Sequence, residues 1–310
     1  MTIRVLFADE PAMWEFYRDA MQSAFVDAGL SVDLKTEFAA QDVDYIVLAP
    51  AGPITDFSGF TRLKAVLSLW AGVEKVVGNS TLTVPLTRMV EDDMTDSMVE
   101  WVTGHVLRHH LGIDANIAAQ DGTWNQTVPP LARDRNVGLL GLGALGTACA
   151  QMLAELNFRV SGWSRSAKQI DKVACYWGDE GLKQVLQSSE ILVLLLPNTR
   201  ATDNILNADR LGLMPKGAII LNPGRGTLID DDALLAALDD GQIGHATLDV
   251  FRTEPLPPAH PYWAHPRVTV TPHVAAQTRA ETSAQVIAEN IRRNEAGETM
   301  MYLVDRAVGY

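Results

Sequence analysis

Three polar side chains stand where short apolar runs give way to turns. Arg225 lies in Leu221-Asn222-Pro223-Gly224-Arg225-Gly226, and Glu254 in Leu248-Asp249-Val250-Phe251-Arg252-Thr253-Glu254-Pro255. His273 lies in Val268-Thr269-Val270-Thr271-Pro272-His273-Val274-Ala275-Ala276. An arginine fork clamps a carboxylate and steadies a developing alkoxide. An imidazole titrates near neutral pH and suits a general acid. A carboxylate beside it orients the ring and favours its protonated form. Together they suit proton delivery to a carbonyl oxygen as hydride reaches its carbon, with a neighbouring carboxylate held in place. Singly, each has a plainer reading: a turn arginine, a surface acid before Pro255, a residue capping the last long helix.

A hydride needs a carrier, and a glycine-rich turn offers a place for one. Gly141, Gly143 and Gly146 stand in G-x-G-x-x-G spacing within Gly141-Leu142-Gly143-Ala144-Leu145-Gly146. The spacing alone is weak. Its setting is stronger, with an apolar strand before it, a helix after it and a second strand at residues 158–162. Gly141 permits the tight turn, Gly143 lets a pyrophosphate approach the backbone, and Gly146 lets the helix pack closely. The helix N-terminus then presents free N–H groups to phosphate. NAD sites place an acid near the end of that second strand. Here the strand ends Gly162-Trp163-Ser164-Arg165-Ser166. Ser164 removes the charge that would repel a 2′-phosphate, and Arg165 matches phosphate geometry, with Ser166 and Lys168 as further donors. NADPH/NADP is therefore favoured, with NADH/NAD as the alternate pair.

The elements that must position these groups alternate along the chain. Strands are expected at residues 3–8, 44–49, 65–69, 136–140, 158–162, 191–196, 218–221, 246–250 and 268–271. Most are continuous apolar runs, the pattern of parallel strands covered on both faces. Helices are expected at 13–28, 95–110, 145–156, 231–238 and 276–294, so the fold class is α/β. At about 150 residues per domain, the length of 310 suggests two domains. The acidic run Glu91-Asp92-Asp93-Met94-Thr95-Asp96 opens a long helix, complementing its dipole. A polar stretch, 121–135, precedes the strand that leads into the glycine turn. A substrate domain is expected over 1–99 and 284–310, interrupted by a dinucleotide domain over 100–283.

Bulk properties exclude several classes. With 38 acidic and 25 basic side chains the net charge is −13, unsuited to a general nucleic-acid or anionic-membrane surface. An anionic substrate would need local cations. The longest apolar runs fall far short of a membrane span. Cys149 and Cys175 match no metal spacing and indicate no disulfide scaffold, which suits a reducing cytoplasm. Cys149 reads as a small buried thiol. The pair His109-His110 reads as the exposed end of a helix, and His260 and His265 as members of the proline-rich loop before the last strand. No metal site is expected.

The ordered segments resemble the D-2-hydroxyacid dehydrogenase family over nearly the whole chain. Leu69-Trp70-Ala71-Gly72-Val73-Glu74, the Gly141–Gly146 turn and Leu195-Leu196-Pro197-Asn198-Thr199 fall in the family's order. More narrowly, Trp163-Ser164-Arg165-Ser166, Thr271-Pro272-His273-Val274-Ala275-Ala276 and Val304-Asp305-Arg306-Ala307-Val308-Gly309-Tyr310 resemble the glyoxylate/hydroxypyruvate reductase A branch. The resemblance implies two Rossmann-like or flavodoxin-like domains, one inserted in the other. It gives Arg225, Glu254 and His273 the roles reasoned above. It implies that Gly72 and Val73 receive the substrate carboxylate through backbone N–H groups, within the stretch Trp70-Ala71-Gly72-Val73. Leu196, Pro197 and Asn198 would line the cofactor, and Asp249 would hold the nicotinamide carboxamide. It further implies a homodimer built through the cofactor domain, and the cysteine usage places it in the cytoplasm.

The activity implied is NADPH-dependent reduction of glyoxylate to glycolate and hydroxypyruvate to D-glycerate. A related enzyme preferring another 2-oxoacid is the alternative, since one methylene discriminates by only ~1–3 kcal/mol. A dinucleotide-sensing interaction protein on the same scaffold is a third reading. Trp70 stands where the branch often has a small residue, and would either shape the substrate pocket or pack against the inter-domain helix. Arg88 is a weaker candidate for a second substrate cation.

Overall fold

A computed structural model describes residues 2–49, 52–307 and 309. The chain divides into two compact units, Met1–Met94 with Gln277–Tyr310, and Thr95–Ala276. The division after Met94 falls in the first turn of a long helix rather than at residue 99 within it, and the return falls at 277 rather than 284. Val308 and Tyr310 of the terminal motif lie outside the described residues.

The first unit begins with β1 (Ile3–Ala8), α1 (Pro11–Asp27), β2 (Val32–Lys35), β3 (Tyr45–Leu48), β4 (Ala65–Ser68), the short α2 (Glu74–Val77) and β5 (Leu86–Thr87). Its strands lie in the order β2-β1-β3-β4-β5, and the paired strands run parallel. Continuous apolar runs form the inner strands because both faces are covered. On one face Val5, Phe7, Val47 and Leu67 pack against Tyr17, Met21 and Phe25 of α1. On the other, Leu6, Ile46, Leu48 and Val66 pack with Phe57 and Leu82.

The second unit is built from α3 (Asp92–His110), α4 (Ile113–Ala118), β6 (Asn136–Leu140), α5 (Ala144–Glu155), β7 (Arg159–Trp163), β8 (Val173–Tyr176), α6 (Gly178–Ser188), β9 (Ile191–Leu194), α7 (Ala208–Leu211), β10 (Ala218–Asn222), α8 (Asp231–Asp239), β11 (Ile243–Leu248) and β12 (Val268–Val270). Asp92 and Asp93 occupy the first turn of α3, as its dipole favours. The strand order is β12-β11-β10-β9-β6-β7-β8, parallel throughout. Order reverses between β6 and β9, which makes their carboxyl ends the switch point where open α/β sheets take ligands. α3 and α5 cover one face through Val102, Val106, Cys149 and Leu153. α6 and α8 cover the other through Leu182, Leu186, Leu234 and Leu238. Beyond this unit, α9 (Ala280–Glu295) returns to the first, where Ala284, Ile287 and Ile291 join the α1 face.

Register levels the strand ends. Leu140 of β6 lies opposite Trp163 of β7 and Leu194 of β9, so the glycine turn, the Ser164 turn and Leu195 start in one row. Asn222 pairs with Leu248, and Leu248 with Val270, so the turns after β10, β11 and β12 start in another.

Three strands and one long helix lie outside the expected set. β2, β5 and β8 are edge-proximal or short, and β2 and β8 are only partly buried, so polar residues interrupt their apolar pattern. α6 is amphipathic, with its buried face limited to Gly181, Leu182, Val185 and Leu186. One histidine expectation is corrected. His110 is buried with its ring edge-on to Phe158, and His109 lies against β11, its Nε2 2.9 Å from Thr247 Oγ1. The cause is the end of α3, which packs on the sheet instead of projecting from it. Burial, with His245 and Arg108 close by, pushes the His109 imidazole down to about 3. His260 and His265 do lie in the loop before β12, and Cys149 is a fully buried thiol.

Candidate active site

Arg225, Glu254 and His273 all belong to the second unit, each on the turn after a strand of the β10-β11-β12 row. His273 Nδ1 lies 2.7 Å from Glu254 Oε2. An ionised carboxylate only accepts, so the shared proton sits on Nδ1 and Nε2 is the nitrogen left for substrate. Glu254 Oε1 accepts from the Phe251 N–H at 2.8 Å. Burial works to raise the Glu254 carboxyl. The hydrogen bonds from His273 and Phe251 and the charges of His273 and Arg225 outweigh it, holding the group below its ordinary value. Glu254 is thus kept as the anion that orients the ring.

Arg225 is held by its own backbone. Buried Asn222 donates from Nδ2 to the Arg225 carbonyl at 2.9 Å and accepts from the Gly224 N–H at 3.2 Å, closing the Pro223-Gly224 turn. The Arg225 guanidinium donates from Nη1 to the Gly224 carbonyl at 2.7 Å. Gly226 explains why this turn meets the one bearing Glu254. A Cβ there would stand 2.0 Å from the Phe251 carbonyl carbon and 2.4 Å from the Arg252 nitrogen. Only glycine permits that approach.

His273 has φ 54°, in the left-handed region that a non-glycine residue enters at a cost. Its N–H donates to the Asp249 carbonyl at 2.8 Å and the Thr271 carbonyl at 3.0 Å. The Asp249 carboxylate is fully buried and takes three bonds from the same loop. Thr271 Oγ1 and the Val274 N–H reach Oδ1 at 2.5 and 3.0 Å, and the Ala275 N–H reaches Oδ2 at 2.9 Å.

The glycine turn has the form a dinucleotide requires. Gly141 has φ 108°, and a Cβ on it would stand 2.4 Å from the Leu195 carbonyl oxygen, so this turn abuts the one after β9 across the switch point. A Cβ on Gly146 would stand 1.9 Å from the Gly141 oxygen, which fixes α5 tightly on β6. At Gly143, the residue capping α5, an added Cβ would meet nothing within 4 Å. Open space, a helix N-terminus and no acid in the first turn fit a pyrophosphate. Leu142 is buried beside Ala144 and Leu145, and Leu196, Pro197 and Asn198 follow β9, with Thr202 Oγ1 donating to the Pro197 carbonyl at 2.6 Å. After β7, buried Ser164 donates its hydroxyl to the Ser166 carbonyl at 2.8 Å, shaping the turn that exposes Arg165 and Ser166. No acid occupies that turn, so the residues present fit a phosphorylated ribose.

In the first unit, Trp70, Ala71, Gly72 and Val73 follow β4. Ser68 Oγ donates to the Trp70 carbonyl at 3.0 Å, and the Met89 N–H donates to the same oxygen at 3.0 Å. Trp70 is about two-fifths exposed, while Val73 is buried and starts α2. Arg88 follows β5, and its N–H donates to the Tyr302 carbonyl at 3.1 Å. Sequence reasoning overlooked the supporting polar groups Asn222 and Thr271. Their signal was available: polar residues at strand ends directly before proline mark a turn that needs side-chain bonds. Among the described residues, no group of three or more His, Cys, Asp or Glu could hold a metal ion.

Residues 103–275 match the family model described as D-isomer specific 2-hydroxyacid dehydrogenase, NAD binding domain. The chain belongs to the D-isomer specific 2-hydroxyacid dehydrogenase family. Within it, the chain is 41% identical over 257 residues to glyoxylate/hydroxypyruvate reductase A of Serratia proteamaculans, covering 80% of this chain and 82% of that one. Among solved structures, a family member from Xanthobacter autotrophicus Py2 in complex with NADPH and MES matches with a TM-score of 0.94 and 40% identity, covering all of both chains. The NADPH-dependent glyoxylate/hydroxypyruvate reductase of Sinorhizobium meliloti, in complex with NADP and sulfate, matches at 0.88 and 35%, covering 100% of this chain and 99% of that one.

Proposed function

We propose that the chain reduces small 2-oxoacids with NADPH, glyoxylate to glycolate and hydroxypyruvate to D-glycerate. The observation that carries this reading is the 2.7 Å His273–Glu254 pair beside Arg225, in the same unit as the glycine turn. NADPH, when bound, supplies the hydride. The Gly141–Gly146 turn and the α5 N-terminus hold its pyrophosphate, the turns at Leu196–Asn198 line its path, and Arg165 with Ser166 takes the 2′-phosphate. Arg225 clamps the substrate carboxylate and steadies charge growing on the carbonyl oxygen. His273 donates the proton that completes the hydroxyl, from the ring nitrogen opposite Glu254. Reductase relatives and solved structures in complex with NADPH or NADP, at 35–41% identity, support the reading.

The test is a purified-enzyme panel of 2-oxoacids against NADPH and NADH, read as kcat/KM. Glyoxylate and hydroxypyruvate with NADPH should lead. Preference for a bulkier 2-oxoacid, or for NADH, would replace this assignment. We also propose a cytoplasmic homodimer formed through the second unit. Ile113, Ile117, Val128 and Leu131 are exposed there, and Trp124 is 93% exposed, a run of apolar surface costly in a monomer. No described helix is long and apolar enough to cross a membrane.

A further inference from the structure

We infer that Asp249 is a positioning residue for the general acid, acting through the loop that carries His273; this rests on the reading of His273 as that acid. Asp249 binds the loop on both sides of His273. Its carboxylate takes Thr271 Oγ1 before the histidine and the Val274 and Ala275 N–H groups after it, and its carbonyl takes the His273 N–H. Those bonds hold His273 at φ 54°, a conformation the residue would otherwise leave. That conformation aims the imidazole at Glu254, 2.7 Å away on the turn after the neighbouring strand.

Residue type fits the task. Three donors converge on two oxygens in a fully buried place. An acceptor-only carboxylate satisfies all three, whereas an amide would turn its own NH2 toward one of them. Leaving a buried donor unmet is costly, so the loop would move. Asp249 thus directs three of its roughly four lone-pair sites to the protein's own loop.

The experiment compares wild type, Asp249→Asn and Thr271→Val by steady-state kinetics, NADPH fluorescence titration, and amide hydrogen exchange at Val274 and Ala275. A misplacement of about 1 Å at a reacting group costs as much as ~100-fold. Asp249→Asn should therefore lower kcat about 10- to 100-fold while the NADPH Kd changes less than about twofold, with faster exchange at both amides. Thr271→Val, which removes one donor and keeps the shape, should lower kcat several-fold with the same split, and it carries the test if Asp249→Asn fails to fold. Weakened NADPH with kcat preserved would overturn the inference in favour of carboxamide binding. Unchanged amide exchange would overturn the clamp itself. A wild type inactive on every 2-oxoacid would sink the functional reading instead, and amide exchange would still decide the clamp.

Discussion

Acid should destabilise this protein through a histidine cluster at the end of α3 and the start of β11. His109 and His245 have their ring centroids 4.9 Å apart, and each ring binds a threonine hydroxyl, Thr247 and Thr269 respectively. Burial first, then neighbouring positive charge from Arg108 and the other rings, pushes His109 down to about 3 and His245 down to about 4, with Asp114 opposing. Unfolded, both titrate near 6.5. Folded values below the unfolded one mean that the unfolded chain binds more protons between them. The neutral rings' contribution is complete above pH 6.5 and is lost as pH falls from there toward 4 and 3. Between pH 7 and pH 5 each ring alone would contribute a loss of ~2 kcal/mol at 1.36 kcal/mol per pKa unit. Both rings are partly open and they couple, so about 2–3 kcal/mol together is the discounted expectation. That is a sizeable part of the ~5–15 kcal/mol of a typical domain. Urea unfolding at pH 7, 6 and 5 measures it, comparing wild type with His109→Gln. The variant should lose about 1–2 kcal/mol of the pH 7-to-5 difference. An identical pH dependence in both proteins would refute the assignment of that acid sensitivity to the buried pair.

Other substitutions separate the proposed roles. His273→Ala should lower kcat by about 10²- to 10⁴-fold while NADPH titration stays near wild type; retained turnover would remove His273 as the acid. Arg165→Ala should weaken NADPH by about 10- to 100-fold, the worth of a charged hydrogen-bond partner, and leave NADH nearly unchanged. Equal losses for both would remove the 2′-phosphate assignment. Gly226→Ala places a Cβ 2.0 Å from the Phe251 carbonyl carbon, so activity should collapse as the Arg225 and Glu254 turns part, with a lowered Tm. Full activity in that variant would show the two turns to be independent.

The residues proposed to react stood out in the sequence because each stands just past an apolar strand, and parallel strands read as unbroken apolar runs. Their convergence could be anticipated from the strand ends but not specified. It depends on register, Asn222 opposite Leu248 opposite Val270, which no local pattern encodes. β11 shows the limit. It begins at Ile243, earlier than its clear apolar run at Ala246, because Gly244 and His245 interrupt the pattern at a partly buried end. The edge strand β8 was hidden for the same reason. The histidine pair at the end of α3 failed differently: basic residues in a last turn suit a solvated helix end, and only tertiary packing puts them against Thr247 and Phe158. Asp249 was visible as a residue of interest, but its three donors come from residues 22 to 26 positions later in the chain.

Strand order also determines which steps a substitution should reach. Arg165 follows β7, Glu254 follows β11 and His273 follows β12, in a sheet ordered β12-β11-β10-β9-β6-β7-β8. At about 4.8 Å per strand, four spacings to the Glu254 turn and five to the His273 turn put roughly 19 and 24 Å between them and the Arg165 turn. Across that distance the solvent-exposed charge of Arg165 is screened, since ~8 Å is the Debye length at physiological salt. Loss of Arg165 should therefore appear in NADPH affinity and leave kcat at saturating cofactor intact. On the proposed reading, a protein of net charge −13 would hold its anions at two separated places, one for recognition and one for chemistry, and each would be open to change without the other.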